Sequence, residues 1–180
     1  MAKRSNFKRV ERDYYPTPYE AVVPLFPHLP SDGFTYCEPC AGDGRLVLHL
    51  LSAGSQCVSA YDIEPQVEWV ERKDALTTLT GNIDYFITNP PWDRKILHPL
   101  ILHLSMQAPT WLLFDADWMH TKQAIPYLKY CQKIVSVGRV KWIADSPHTG
   151  KDNACWYLFD FYNTDQTLFY GQRTQPFNDI

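Results

Sequence analysis

From Phe34 onward, short apolar runs alternate with amphipathic ones, and the alternation predicts strands and helices in turn. Phe34 to Cys40 reads as a buried strand ending in the turn Ala41-Gly42-Asp43-Gly44. Arg45 to Leu51 follows at helical spacing and closes near Gly54, a residue type favoured just past a helix C-terminus. Cys57 to Ile63 gives a second strand, stopped near Pro65. Asp84 to Thr88 gives a third, which runs straight into Asn89-Pro90-Pro91-Trp92. A helix over Ile96 to Gln107, a strand over Trp111 to Phe114, a helix over Thr121 to Tyr130 and a strand over Lys133 to Val137 continue the series. Val140 to Ile143 and Cys155 to Tyr162 then read as a hairpin-like pair joined by the polar stretch 144–154. The pattern implies a doubly wound α/β fold: a mostly parallel sheet with an antiparallel hairpin near one edge. Ligands on such sheets bind beyond the carboxyl ends of the strands, where the polar turns lie.

Composition narrows the class. The chain has 180 residues, 45% hydrophobic and 21% charged, enough to close a single core and unlike a disordered or collagen-like sequence. No apolar run reaches the ~18 residues of a membrane helix, and no apolar segment follows Met1 to Ser5 as a signal peptide would require. Five cysteines cannot all pair within one chain, so they are expected as reduced thiols of a cytoplasmic protein, and the lone Cys37-x-x-Cys40 is not expected to hold a metal. Net charge is −3, against a wholesale polyanion-binding surface. The first thirteen residues nevertheless carry Lys3, Arg4, Lys8, Arg9 and Arg12 against Glu11 and Asp13, a basic and flexible arm able to contact phosphates or simply to remain solvated.

Three segments carry candidate chemistry. In Glu38-Pro39-Cys40-Ala41-Gly42-Asp43-Gly44, glycines between a strand and a helix let backbone approach a ligand closely. The dinucleotide fingerprint would need a third glycine where Leu46 stands, and the phosphate loop would need a Lys-Ser/Thr pair, so neither is predicted. By itself the segment also reads as an ordinary tight turn. Asp62, about twenty residues on and at a strand end, is placed to accept from a ribose diol, with Ile63 offering an apolar face to an adenine ring. In Asn89-Pro90-Pro91-Trp92, two prolines remove two backbone donors, leaving the Asn89 side-chain oxygen and the Pro90 carbonyl as a rigid pair of acceptors for an amino group. Trp92 adds a plane on which a base can stack, although an Asn-Pro turn with an aromatic tucked into the core has the same sequence.

Together, Glu38 to Gly44, Asp62 and Asn89 to Trp92, in this order and spacing, resemble the class I S-adenosylmethionine-dependent methyltransferases that modify amino groups. The likeness is strongest to the adenine-N6 methyltransferases of phage and bacteria, whose hallmark is Asp/Asn-Pro-Pro-aromatic. Tyr15-Pro16-Thr17-Pro18 is similar to the segment that in many of those enzymes precedes the glycine turn and touches the methionine end of the cofactor. The likeness is close from Tyr14 to Trp92 and looser to Phe161.

The resemblance implies a single seven-stranded domain over residues 14–180, with no separate target-recognition domain. It implies S-adenosylmethionine as cofactor. Glu38, Pro39, Cys40, Ala41, Gly42 and Gly44 would hold its methionine part, and Asp62 and Ile63 the ribose and adenine. Asp74 would contact the adenine, and Thr17, flanked by Tyr15 and Pro18, the carboxylate. Asn89, Pro90, Pro91 and Trp92 would carry catalysis on an adenine amino group in nucleic acid, DNA ahead of RNA, with Asn89 also touching the cofactor and with no metal. Methylation of a protein glutamine amide, and a catalytically silent scaffold subunit, are the competing readings. A partner subunit or homodimer could supply specificity, as could the Ser146 to Asn153 loop with His148, Lys151 and Asn153. His120 and His148, with Asp115, Asp117 and Asp145, match no metal-ligand spacing, and Trp118 and Trp142 read as packing residues.

Overall fold

The computed structural model describes residues 15–143 and 150–172. The basic arm over 1–13, Asp145, and the first half of the Ser146 to Asn153 loop, including His148, therefore lie outside the described residues. Eight strands form one sheet: β1 (Phe34–Glu38), β2 (Ser55–Asp62), β3 (Glu71–Arg72), β4 (Tyr85–Thr88), β5 (Thr110–Asp115), β6 (Cys131–Arg139), β7 (Asn153–Phe159) and β8 (Leu168–Tyr170). Their order is β3-β2-β1-β4-β5-β7-β6-β8, and every pairing is parallel except the two made by β7. The expected mixed sheet is present, with β8 added outside the hairpin. No helix among the described residues is long and apolar enough to cross a membrane.

The central strands bury both faces, so their side chains alternate between two cores. On β5, Trp111 and Leu113 enter one cluster while Leu112 and Phe114 enter the other. The first cluster lies under helices α1 (Tyr19–Val22) and α2 (Arg45–Leu50), contributing Ala21, Val22, Leu46 and Leu50. The second lies under α3 (Arg94–Ser105), whose Leu97, Leu100, Ile101 and Leu104 follow the i, i+3, i+4, i+7 spacing of one helical face. Helix α3 starts two residues before the hydrophobic pattern does, because the Asp93 carboxylate accepts from Lys95 N (3.0 Å) and caps it.

Two expectations are corrected, and one element was not expected. The helix expected over Thr121 to Tyr130 is a 3-10 turn over Ala116–His120 followed by the short α4 (Ile125–Leu128). Asp115 caps the first through Asp117 N (3.0 Å), and Pro126 opens the second. Lys133 to Val137 lies within one longer strand, β6, which ends at Arg139, and Val140 to Ile143 is not a strand, so the antiparallel partner of β7 is β6 itself. Gly138, which punctuates the sequence, sits at φ +84° where the register against β7 slips, so it marks a bulge and not a strand end. Tyr19 to His28 is also helical, as α1 and a 3-10 turn over Val23–His28. Its prolines 24 and 27 hid that from a reading of periodicity.

This N-terminal helical segment places residues 15–18 over the sheet. Trp156 Nε1 on β7 donates to Ala21 O (2.8 Å), and His49 Nε2 on α2 lies 3.1 Å from Thr17 O. The extended stretch from Tyr15 to Pro18 is thereby held against the carboxyl end of β4.

Candidate active site

Strands β1 and β4 are parallel neighbours, with Tyr36 opposite Tyr85 and Cys37 opposite Phe86. The sequence order reverses between them, since β1 leads toward β2 and β3 on one side and β4 toward β5 on the other. This is the switch point at which a crevice opens beyond the strand ends. The turn after β1 and the Asn89 tetrapeptide after β4 therefore face one another across a single inter-strand step of about 4.8 Å.

The glycine turn is stitched to the end of β2. Ala41 N donates to Tyr61 O (3.0 Å), Gly44 N to Ala41 O (2.7 Å) and Gln66 N to Gly42 O (2.9 Å). Gly42 and Gly44 have φ of +52° and +73°, the left-handed region where a Cβ is disfavoured. A Cβ on Gly44 would also stand 2.0 Å from Trp69 Cζ2, because the half-exposed indole lies directly on this glycine. Gly44→Ala should accordingly cost about 2 kcal/mol of stability, from backbone strain and a displaced ring. Urea denaturation of the variant in wild-type and Trp69→Ala backgrounds checks this: the loss should shrink in the second, and an equal loss in both would refute the steric part.

Glu38, at the last position of β1, is 2% exposed, and its Oε2 has no hydrogen-bond partner. Burial pushes its carboxyl well above the usual carboxylate range, and the nearby charges of Asp43 and Asp62 push it further. Three carboxyl groups thus gather at one turn, with Arg45 paired to the outer Asp43 (3.1 Å). Such a corner repels phosphate and suits a cationic group able to meet the unpaired oxygen.

Asp62 lies at the end of β2, as its spacing suggested. Its Oδ2 accepts from Gly42 N (2.9 Å) and Oδ1 from Glu64 N (2.7 Å), so the carboxylate braces the glycine turn while one lone pair on each oxygen is left over. Ile63 beside it is 56% exposed, an apolar surface with no protein to cover it. Asp74 Oδ1 accepts from Leu76 N (2.9 Å), and the Asp74 carbonyl accepts from Thr77 and Thr78, so this residue organises an exposed turn. Pro39 and Cys40 follow Glu38 into the turn. Burial raises the Cys40 thiol strongly and takes Cys37 to about 12, which leaves both as neutral thiols and poor nucleophiles.

Across the crevice, the Asn89 amide has one self-consistent orientation. Its Nδ2 donates to the Tyr15 carbonyl (3.1 Å) and to Thr17 Oγ1 (3.2 Å), while its Oδ1 faces Trp92 Nε1 (3.4 Å). A carbonyl can only accept and an indole N–H can only donate, so the two neighbours fix the amide between them. The Trp92 N–H is shared with Leu113 O at the shorter distance of 3.2 Å, which leaves Oδ1 with acceptor capacity to spare. Pro90 and Pro91 follow, so the chain offers carbonyls without N–H donors at this point.

Trp92 is half-buried and meets Trp142 edge to face at 5.7 Å, and Trp142 in turn lies 6.4 Å from the Tyr15 ring. These three rings form an aromatic corner around Asn89. Trp118 is core, with its Nε1 donating to His98 Nε2 (3.0 Å) on α3. Sequence reasoning missed Trp142, Trp69 and His49 as neighbours of the crevice. Each acts through a fold contact that no local motif announces.

No family model matches the chain. It is similar to the type II methyltransferase M.VspI of Vibrio sp. (strain 343), at 27% identity over 114 residues covering 51% of this chain and 28% of that protein. The match thus spans little more than a quarter of the curated relative's length. Among solved structures, it resembles a Listeria monocytogenes protein assigned to the class I S-adenosylmethionine-dependent methyltransferases (TM-score 0.63, 10% identity, covering 92% of this chain and 68% of that one). It also resembles a dimethyladenosine transferase from Plasmodium falciparum (0.55, 17%, 82% and 62%). A third likeness is to a modification subunit assigned to a type I restriction enzyme of Vibrio vulnificus YJ016 (0.58, 13%, 91% and 48%).

Proposed function

Since the chain has the class I S-adenosylmethionine-dependent methyltransferase fold, we propose that it transfers a methyl group from S-adenosylmethionine to the exocyclic amino group of adenine in nucleic acid, DNA before RNA. The observation that carries this reading is the Asn89 amide, clamped on its NH2 side with its oxygen turned toward an aromatic corner. Residues of the facing turn fit the cofactor: the unpaired buried Glu38 oxygen suits an ammonium, the remaining Asp62 lone pairs suit ribose hydroxyls, and exposed Ile63 suits an adenine ring. Bound there, the cofactor supplies a sulfonium methyl as the electrophile.

The chain's own residues then have a defined task. The adenine amino nitrogen is a weak nucleophile because its lone pair is delocalised into the ring. Asn89 Oδ1 and the Pro90 carbonyl would accept hydrogen bonds from its two N–H groups, which favours the pyramidal nitrogen and stabilises the positive charge that develops on it as the nitrogen–methyl bond forms and the methyl–sulfur bond breaks, the surplus proton then passing to solvent. Fixed acceptors of this kind act on the transition state more than on the ground state, because no dipole has to reorient during transfer. The Trp92 ring, braced edge to face by Trp142, gives a base a plane to stack on, which favours a planar heterocycle over the flexible side chain of a protein glutamine. The neutral thiols of Cys37 and Cys40 argue against attack through cysteine, as carbon methylation of a pyrimidine would need. The name of the dimethyladenosine transferase supports adenine as the base.

The test is incubation with methyl-labelled S-adenosylmethionine and, separately, DNA, RNA and a glutamine-containing peptide, followed by hydrolysis and mass spectrometry. Label in N6-methyldeoxyadenosine is the expected result. Label confined to N4-methylcytosine or to glutamine would reject adenine as substrate, and label in RNA alone would replace DNA.

A further inference from the structure

Thr17 lies in the segment whose resemblance assigns it to the cofactor carboxylate, yet its described contacts run elsewhere. Its side chain is among the buried polar groups, at 4% exposure, and its Oγ1 accepts from Asn89 Nδ2 at 3.2 Å. Its carbonyl is held by the His49 ring (3.1 Å), and the preceding turn of chain delivers the Tyr15 carbonyl to the same Nδ2 at 3.1 Å. Both hydrogens of the Asn89 amide are therefore taken by a stretch three residues long, seventy-two to seventy-four positions upstream in sequence.

We propose that Thr17 is a positioning residue for methyl transfer: its hydroxyl oxygen, with the Tyr15 carbonyl, locks the Asn89 amide so that Oδ1 and not Nδ2 is presented to the substrate amino group. This rests on the adenine-amine reading of the site and adds a second element to it. The chemical logic is one of symmetry breaking. A primary amide can turn over about its terminal bond, and the turned form would present a donor to a donor, which repels the substrate. The long 3.4 Å contact from Trp92 on the oxygen side is a weak restraint, since that N–H is better satisfied by Leu113 O. The two contacts on the nitrogen side are shorter, and hydrogen bonds from His49 to the Thr17 carbonyl and from Trp156 to the Ala21 carbonyl anchor the chain that carries them.

The test compares the full-length wild type with Thr17→Val and Thr17→Ser. Valine keeps the shape and removes the acceptor; serine restores it. Thermal melting establishes that each variant is folded. Three readouts are taken: the affinity for S-adenosylmethionine by calorimetry, the single-turnover rate on an adenine-containing oligodeoxynucleotide at saturating cofactor, and the side-chain amide signals of Asn89 by ¹⁵N NMR, assigned with Asn89→Ala. For Thr17→Val we expect a rate about tenfold lower, the worth of one buried hydrogen bond, with cofactor affinity within about twofold. One Asn89 amide proton should exchange faster with solvent, and Thr17→Ser should restore both rate and signal. An unchanged Asn89 signal overturns the proposal. So does a loss of cofactor affinity with an unchanged transfer rate, which would return Thr17 to the carboxylate. If the wild type does not methylate the oligonucleotide, the adenine reading fails, while the NMR comparison still decides whether Thr17 holds the amide.

Discussion

Asn89→Ala is expected to lower single-turnover methyl transfer to an adenine-containing oligonucleotide by about 10²- to 10³-fold, the usual consequence of deleting one preorganised group at a charge that develops in the transition state. Affinity for S-adenosylmethionine should change by less than about threefold, because cofactor contacts are assigned to the opposite wall of the crevice. The split follows from the fold. Asn89 extends from β4 and is tied to Tyr15, Thr17 and Trp92, whereas the candidate cofactor residues extend from β1 and β2. Asn89→Asp is a sharper variant of the same test. A carboxylate keeps an acceptor for the substrate but sets a second anionic oxygen against the Tyr15 carbonyl, 3.1 Å from the present nitrogen. It should therefore be less active than wild type and less stable. Stopped single-turnover assays and calorimetry read both effects. Wild-type turnover by Asn89→Ala removes Asn89 from the chemistry, and wild-type stability of Asn89→Asp removes the clamp on its nitrogen side.

Glu38→Gln should separate stability from cofactor binding in opposite directions. A buried carboxyl whose pKa is raised in the folded protein favours folding fully below its unfolded value near 4.5, and that contribution is lost as pH climbs through the folded value. Raising the pH above 4.5 therefore destabilises the ligand-free protein at this site. Glutamine cannot ionise, so at pH 7.5 the variant should melt higher than wild type, an advantage that shrinks toward pH 4.5. S-adenosylmethionine should bind about 10- to 100-fold more weakly, since a charge-assisted hydrogen bond to its ammonium becomes a neutral one. Calorimetry in buffers of different ionisation enthalpy adds an independent sign: wild type should release a proton on binding, and Glu38→Gln should not. A variant that melts lower at neutral pH, or binds as tightly as wild type, would show that Glu38 is a structural group.

Much of this arrangement was legible in the sequence because it is local. Gly42 and Gly44 adopt positive φ within five residues of one another, Asp62 falls at the end of its strand, and the two prolines after Asn89 act on their own backbone. The strands of the sheet that bury both faces, such as β5, announce themselves as continuous apolar runs. What the sequence concealed depends on tertiary contact. Gly138 looks like a terminator but makes a bulge, because β7 supplies the partner that keeps β6 going. Strand β3 is two residues long and β8 three, too short for any periodicity to register. Thr17 carries no mark of its hydrogen bond to Asn89, since seventy-two residues separate them and only the docking of α1 brings them together. Trp92 offered a stacking plane, yet which way its N–H points was decided by Leu113 on the neighbouring strand.

The account stands on one shared crevice, and a crystal structure of the full chain with S-adenosylhomocysteine measures it directly. The predicted complex has the ligand's ammonium on the Glu38 carboxylate, its ribose on Asp62, and its sulfur facing the space in front of Asn89 Oδ1. A ligand seated on another surface, or one whose sulfur is walled off from Asn89 by protein, would contradict it.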